Sequence, residues 1–73
     1  MTAGVIRSFE PDEGLLRVLL VNDLSERTLR VRGSDKSIVA HLPHGEPIQF
    51  QLVHDCRGRA CAIDISIIGG RHE

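Results

Sequence analysis

The sequence contains no tryptophan and no tyrosine, and Phe9 and Phe50 are its only aromatic residues. That scarcity excludes a binding surface built mainly from aromatic rings stacked on bases or sugars. Cysteine is also scarce. Cys56 and Cys61 are too few for a disulfide framework and are expected as reduced thiols. No sign of charge dominates either, because nine basic residues stand against ten acidic ones for a formal charge of -1. The molecule as a whole therefore supplies no field toward nucleic acid or an anionic membrane, and any anion binding must come from a local patch. No apolar run approaches the ~20 residues of a membrane span. Met1-Thr2-Ala3-Gly4 lacks the basic flank and apolar stretch of a secretory signal, which makes a cytoplasmic location the expectation.

Recognisable catalytic patterns are missing as well. The chain has no nucleophile elbow, no phosphate loop and no convincing acid and base pair, so no enzymatic activity and no cofactor are expected. His41, His44, His54, Cys56 and Cys61 are zinc-ligating residue types. Their spacing lacks the paired short knuckles of structural zinc modules, and no metal is expected.

What remains is the composition of a small globular domain, with 41% hydrophobic and 26% charged residues. At 73 residues the chain, 1–73, makes one domain with an economical core. Five apolar stretches of strand-like composition are separated by turn residues at short, regular spacing. Gly4 to Phe9 leads into Glu10-Pro11-Asp12-Glu13-Gly14, a turn, and Leu15 to Val21 follows at once, which predicts a hairpin. Asn22-Asp23 opens a polar connection to Arg27–Arg32, where Leu29 and Val31 share one side and Thr28, Arg30 and Arg32 the other. Pro47 to Val53 alternates in the same way, with Ile48, Phe50 and Leu52 inward. The last stretch is expected to bury Ile63, Ile65 and Ile67 and expose Ala62, Asp64 and Ser66.

Strict alternation points to antiparallel sheet with one wet face, since doubly covered parallel strands read as continuous apolar runs. Between the third and fourth strands, Ser34 or Asp35 is expected to cap a short helical turn that presents Ile38 and Leu42 to the core. The expected fold is all-β: a five-stranded antiparallel Greek-key barrel of the oligonucleotide-binding (OB) type, with a helical turn or long loop between strands 3 and 4. An SH3-like barrel is the structural competitor.

Gly4, Ile6, Arg7, Phe9, Pro11 and Gly14 follow the order and spacing of the opening of bacterial cold-shock domains. Gly45-Glu46-Pro47-Ile48-Gln49-Phe50 resembles that family's Gly-Gln-x-Val-x-Phe strand, and Arg57-Gly58 followed by Ala62-Ile63-Asp64-Ile65 is similar to its closing segment. The resemblance implies an OB barrel that binds single-stranded RNA or DNA. It also shows where the chain departs from the family. Cold-shock domains stack bases on aromatics in two ribonucleoprotein motifs, but here the first motif reads Glu13-Gly14-Leu15-Leu16-Arg17-Val18 and the second reads Leu29-Arg30-Val31-Arg32. Leu15 and Arg17 replace aromatics, and Ser8 stands where the family has a tryptophan. A second resemblance, carried by Leu16-Arg17-Val18 and by Gly33 to Gly45, is to the small bacterial translation initiation factor whose single domain is the same barrel.

The candidate nucleic-acid-binding residues are therefore Arg7, Ser8, Leu15, Arg17, Arg30, Arg32 and Arg57. Arginine can pair with phosphate and stack its guanidinium plane on a base, so it partly replaces a lost ring. The plainer alternative is that these arginines are solvated strand residues paired with Glu10, Asp12, Glu13 or Glu26. Leu15, Leu19 and Val21 share the parity of Arg17 and raise a different function, a protein partner or homodimer docked on an apolar outer patch. A terminal tail lying over that patch, or a parity slip at a bulge, would remove it.

Overall fold

The apolar stretches of the sequence become the strands of one sheet. The structure, a computed structural model, describes residues 1–68. Strand β2 (Leu15–Leu20) buries Leu16, Val18 and Leu20 and turns Arg17 to solvent. Strand β3 (Glu26–Arg30) contributes Leu29 to the core, and Val31 follows it inward just past the strand end. Strand β4 (Pro47–His54) buries Ile48 and Phe50, with Leu52 packed against them at the edge of the core. Full burial of aliphatic and aromatic side chains of this size is worth roughly 1.5–3 kcal/mol each. These residues supply most of the cohesion of the domain.

Strand β1 (Thr2–Glu10) is longer than the sequence suggests because it pairs on both sides. Thr2 to Val5 lie antiparallel to β4, with Gly4 opposite Ile48, and Gly4 to Glu10 lie antiparallel to β2, with Phe9 opposite Leu16. Strand β5 (Ala60–Ile67) runs antiparallel to β4 and touches β3 at one register point, Arg30 opposite Cys61. The result is a closed barrel in the order β1-β2-β3-β5-β4. It differs from the all-antiparallel expectation at one place, since the β3–β5 contact is parallel and the sheet is mixed. Closing a five-stranded ring brings two strands of the same direction together somewhere, and here the contact is held to a single position.

Two bulges decide which side chains face inward, and each adds a residue to one strand of a pair. In β1, Ile6 opposes Val18 and Ser8 opposes Arg17, so Arg7 is the extra residue and stands exposed while Ile6 and Phe9 both reach the core. In β5, Gln49 opposes Ser66 and Gln51 opposes Ile63, so Asp64 and Ile65 together face Phe50. Asp64 takes the left-handed conformation (φ 54) that lets the strand absorb the insertion. This bulge reverses the expected facing of Ala62 and Ile63, since Ala62 is buried and Ile63 exposed, while Ile65 is buried as expected. Ile67 lies opposite Ile48, on the core side, but is exposed at the end of the strand.

The segment after β3 is a helix, α1 (Ser34–Ala40), but neither Ser34 nor Asp35 caps it. Gly33 occupies the cap position without a side-chain hydrogen bond, and the Asp35 carboxylate instead accepts the backbone N–H of Ile65 at 3.3 Å. That contact ties the helix to β5, and Val39 is the helix residue buried in the core. Leu42 packs beside it as expected, while Ile38 is exposed. Among the described residues, no helix is long and apolar enough to cross a membrane.

Candidate nucleic-acid interface

The turn from β1 to β2 fixes one end of the candidate surface. Gly14 sits in the left-handed region (φ 66), and a Cβ there would lie 2.7 Å from the backbone oxygen of Val31. Its N–H donates to Glu10 O at 2.8 Å, and its carbonyl accepts the N–H of Val31 at 2.8 Å. The turn is thus locked onto the end of β3, and the registers of the three strands follow.

Those registers lay out the outer face row by row. Ser8, Arg17 and Thr28 form one row across β1, β2 and β3, and Glu10, Leu15 and Arg30 form the next. Val5, Leu19 and Glu26 form a third. Four of the candidates, Ser8, Leu15, Arg17 and Arg30, therefore share one face. Arg17 and Arg30 are diagonal neighbours on adjacent strands, a relation that places residues about 7–8 Å apart. Arg32 continues the line just beyond β3 and is exposed.

Arg7 is different. From its bulge it reaches Glu26 across the face, Nε to Oε2 3.4 Å, with both side chains about half exposed. An exposed pair of this kind contributes little to stability, but it occupies the cation. Pairing with acidic neighbours therefore holds for Arg7 and not for the others: among the described residues, Arg17, Arg30 and Arg32 have no carboxylate within salt-bridge distance. Leu15 and Leu19 are only half exposed on the same face, and Val21, the exposed member of the apolar trio, lies past the end of β2.

Beyond Arg30 the face opens into a cleft of about 400 Å³ at the end of β3. Its charged lining is Arg30, Arg32, Lys36 and Arg59, with Glu13 and Asp55. Asp55 is already engaged. One of its oxygens accepts the N–H groups of Arg57 and Arg59, each at 2.9 Å, and the other accepts Arg59 Nε at 3.0 Å. The Arg59 amide, followed by the Arg57 amide and the Arg59 guanidinium, holds the Asp55 carboxyl below the usual aspartate value. Arg59 keeps its terminal guanidinium nitrogens, because only Nε is used in this contact.

Arg57 is exposed on the same turn but does not line the cleft. Lys36 and Arg59 line the cleft without being among the sequence candidates. The basic pair Arg57-Gly58-Arg59 was a visible signal for the second, but nothing local shows that the β4–β5 turn packs beside the end of β3. Cys61 is buried and Cys56 exposed, both as free thiols. Among the described residues, no group of three or more His, Cys, Asp or Glu side chains converges. No protein-family model matches the chain, and no curated protein matches it.

Proposed function

We propose that this chain is a non-enzymatic module that binds single-stranded RNA or DNA along the outer face of β2 and β3. The observation that carries the reading is the line of cations, Arg17, Arg30 and Arg32, that have no carboxylate partner among the described residues, on the face where Ser8 and Leu15 also lie. Each guanidinium offers a planar fork for phosphate and a flat surface for a base. Half-exposed Leu15 and Leu19 supply apolar area beside them without forming a broad greasy patch. That balance favours a nucleic acid over a protein partner or homodimer seated on Leu15, Leu19 and Val21.

The strand order β1-β2-β3-β5-β4 with a helix between β3 and β4 supports reading the barrel as the Greek-key OB type, whose ligands lie on this face. The resemblance to cold-shock domains points the same way, since Ser8, Leu15, Arg17 and Arg30 share a face and occupy or adjoin the positions of that family's stacking residues. Without aromatic rings, binding is weaker, by roughly 1–3 kcal/mol for each platform lost. The remaining affinity is charge-driven. For three phosphate contacts, a slope near -0.7 per contact on single strands implies about a 20-fold loss of affinity between about 50 and 200 mM salt.

Fluorescence anisotropy with labelled single-stranded oligonucleotides at low salt tests this. Binding that falls steeply with salt and weakens in Arg17→Ala and Arg30→Ala is the expected result. Absence of binding at high micromolar protein overturns it.

A further inference from the structure

The cleft at the end of β3 differs in charge from the sheet face that leads into it. Four cations, Arg30, Arg32, Lys36 and Arg59, converge there against two carboxylates, a surplus of two positive charges in one concave space of about 400 Å³. The rest of the molecule runs the other way, since the chain as a whole carries -1. On the sheet face, Arg17 and Arg30 are single cations in separate rows. An internal phosphodiester carries one negative charge, whereas a terminal phosphomonoester carries about -1.5 to -2 at neutral pH and presents three acceptor oxygens.

The geometry of the lining suits the larger charge. Lys36 lies with its stem against Gly14, its Cε 3.7 Å from where a Cβ on that glycine would stand, so the lack of a side chain at Gly14 leaves room for the lysine beside the cleft wall. Asp55 is engaged by Arg59 and the turn amides and, among the described residues, forms no salt bridge with Arg30, Arg32 or Lys36. It acts as a positioning residue for Arg59, and the terminal nitrogens of that guanidinium remain available for an anion. Arg32, Lys36 and Arg59 come from three different segments, β3's end, α1 and the β4–β5 turn, so an anion bound by all three is surrounded and not merely touched.

We infer that this cleft seats the terminal phosphomonoester of an oligonucleotide whose body lies along β2 and β3. The inference rests on the proposed function and deepens it: the module recognises an end as well as a single strand. Arg30 belongs to both regions and marks where the chain of phosphates passes from the open face into the cleft. Lys36 and Arg59 belong to the cleft alone.

The test uses one oligonucleotide sequence in three forms, without a terminal phosphate, with a 5′-phosphate and with a 3′-phosphate, measured by anisotropy against the full chain and against Lys36→Gln and Arg59→Gln. One phosphorylated form should bind about tenfold tighter than the unphosphorylated one, in line with two or more charge-assisted hydrogen bonds. Both substitutions should remove most of that advantage while changing affinity for the unphosphorylated form no more than about twofold, as for sites that do not share a contact. Circular dichroism establishes that the variants are folded. Lys36→Gln carries the conclusion if Arg59→Gln disturbs its turn.

Equal affinity for all three forms overturns the inference and leaves the sheet-face reading standing. An advantage that persists in folded Lys36→Gln places the terminal phosphate elsewhere and also overturns it. If no oligonucleotide binds but inorganic phosphate or a mononucleotide shifts the amide resonances of Arg32 and Lys36, the cleft is a free-phosphate site. Both proposals then fail.

Discussion

Replacing Gly14 by alanine tests how the hairpin is locked to the end of β3. The added methyl would stand 2.7 Å from the Val31 backbone oxygen, closer than real Cβ contacts allow, and a carbonyl cannot rotate away as a side chain can. The left-handed backbone at φ 66 costs an L-residue about 1–2 kcal/mol. Relieving the clash pulls the turn from β3 and weakens the Val31 N–H to Gly14 O bond of 2.8 Å, a loss of about 1 kcal/mol. The lower entropy of alanine in the unfolded chain offsets roughly 0.4–1 kcal/mol. The net loss is about 2 kcal/mol, large against the roughly 4–11 kcal/mol expected for a domain of this length. Gly58 provides the control, because its φ of 79 is also left-handed but nothing lies within 4 Å of its Cβ position. Gly58→Ala should lose about 1 kcal/mol or less. Urea unfolding followed by far-ultraviolet circular dichroism measures both, since the chain has no tryptophan or tyrosine to report by fluorescence. Indistinguishable losses for the two variants would refute the steric reasoning.

Leu24 is the reverse case: it holds φ 58 in the β2–β3 turn while 73% exposed. Leu24→Gly should stabilise the fold by about 0.5–1 kcal/mol, and a lower urea midpoint would show that the side chain makes a contact worth more than its strain. Asp55 titrates below the ordinary aspartate value of 3.8 because it accepts the Arg59 and Arg57 amides. The stabilisation it lends the β4–β5 turn is therefore full above that value and lost as pH falls through the lower folded value. Amide shifts of Arg57 and Arg59 followed by NMR should give a midpoint below 3.8, and a midpoint at or above it contradicts the hydrogen-bond assignment. Arg7→Ala and Arg17→Ala separate a paired from an unpaired cation: the first should change oligonucleotide affinity little, while the second should reduce both affinity and the salt slope, the latter by about 0.7. Equal effects would remove the distinction drawn from the Arg7–Glu26 contact.

Much of the barrel is legible in the residues themselves. In β3 and β4 the inward facing of Leu29, Ile48 and Phe50 follows from a two-residue period, because a strand with one wet face must alternate. Strand β2 is apolar at every position but Arg17, and its facing rests on that one residue. The turn at Glu10–Gly14 was equally plain from proline, aspartate and glycine. Arg17 and Arg30 could be placed on the outer face for the same local reason. Where the period was broken, the sequence was silent. Arg7 and Asp64 are extra residues in their strands, and neither is a glycine that would announce a bulge. The bulge therefore reverses Ala62 and Ile63 against the expected alternation, while Ile65 keeps its place. The helix was located but not its buried face, because the strand it is tied to through Asp35 and Ile65 lies 30 residues away.

Local sequence thus determined the strands, their turns and the loss of the aromatic platform, all of which depend on residue type and on neighbours within a few positions. The cleft depended on the tertiary structure. Its cations come from residues 30, 32, 36 and 59, and only the closure of the barrel at Arg30 and Cys61 brings the last of them beside the others. Charge counted along the chain averages to -1, whereas charge gathered in space leaves a positive surplus at one end of β3. Electrostatic attraction depends on distance in space, and the fold sets that distance.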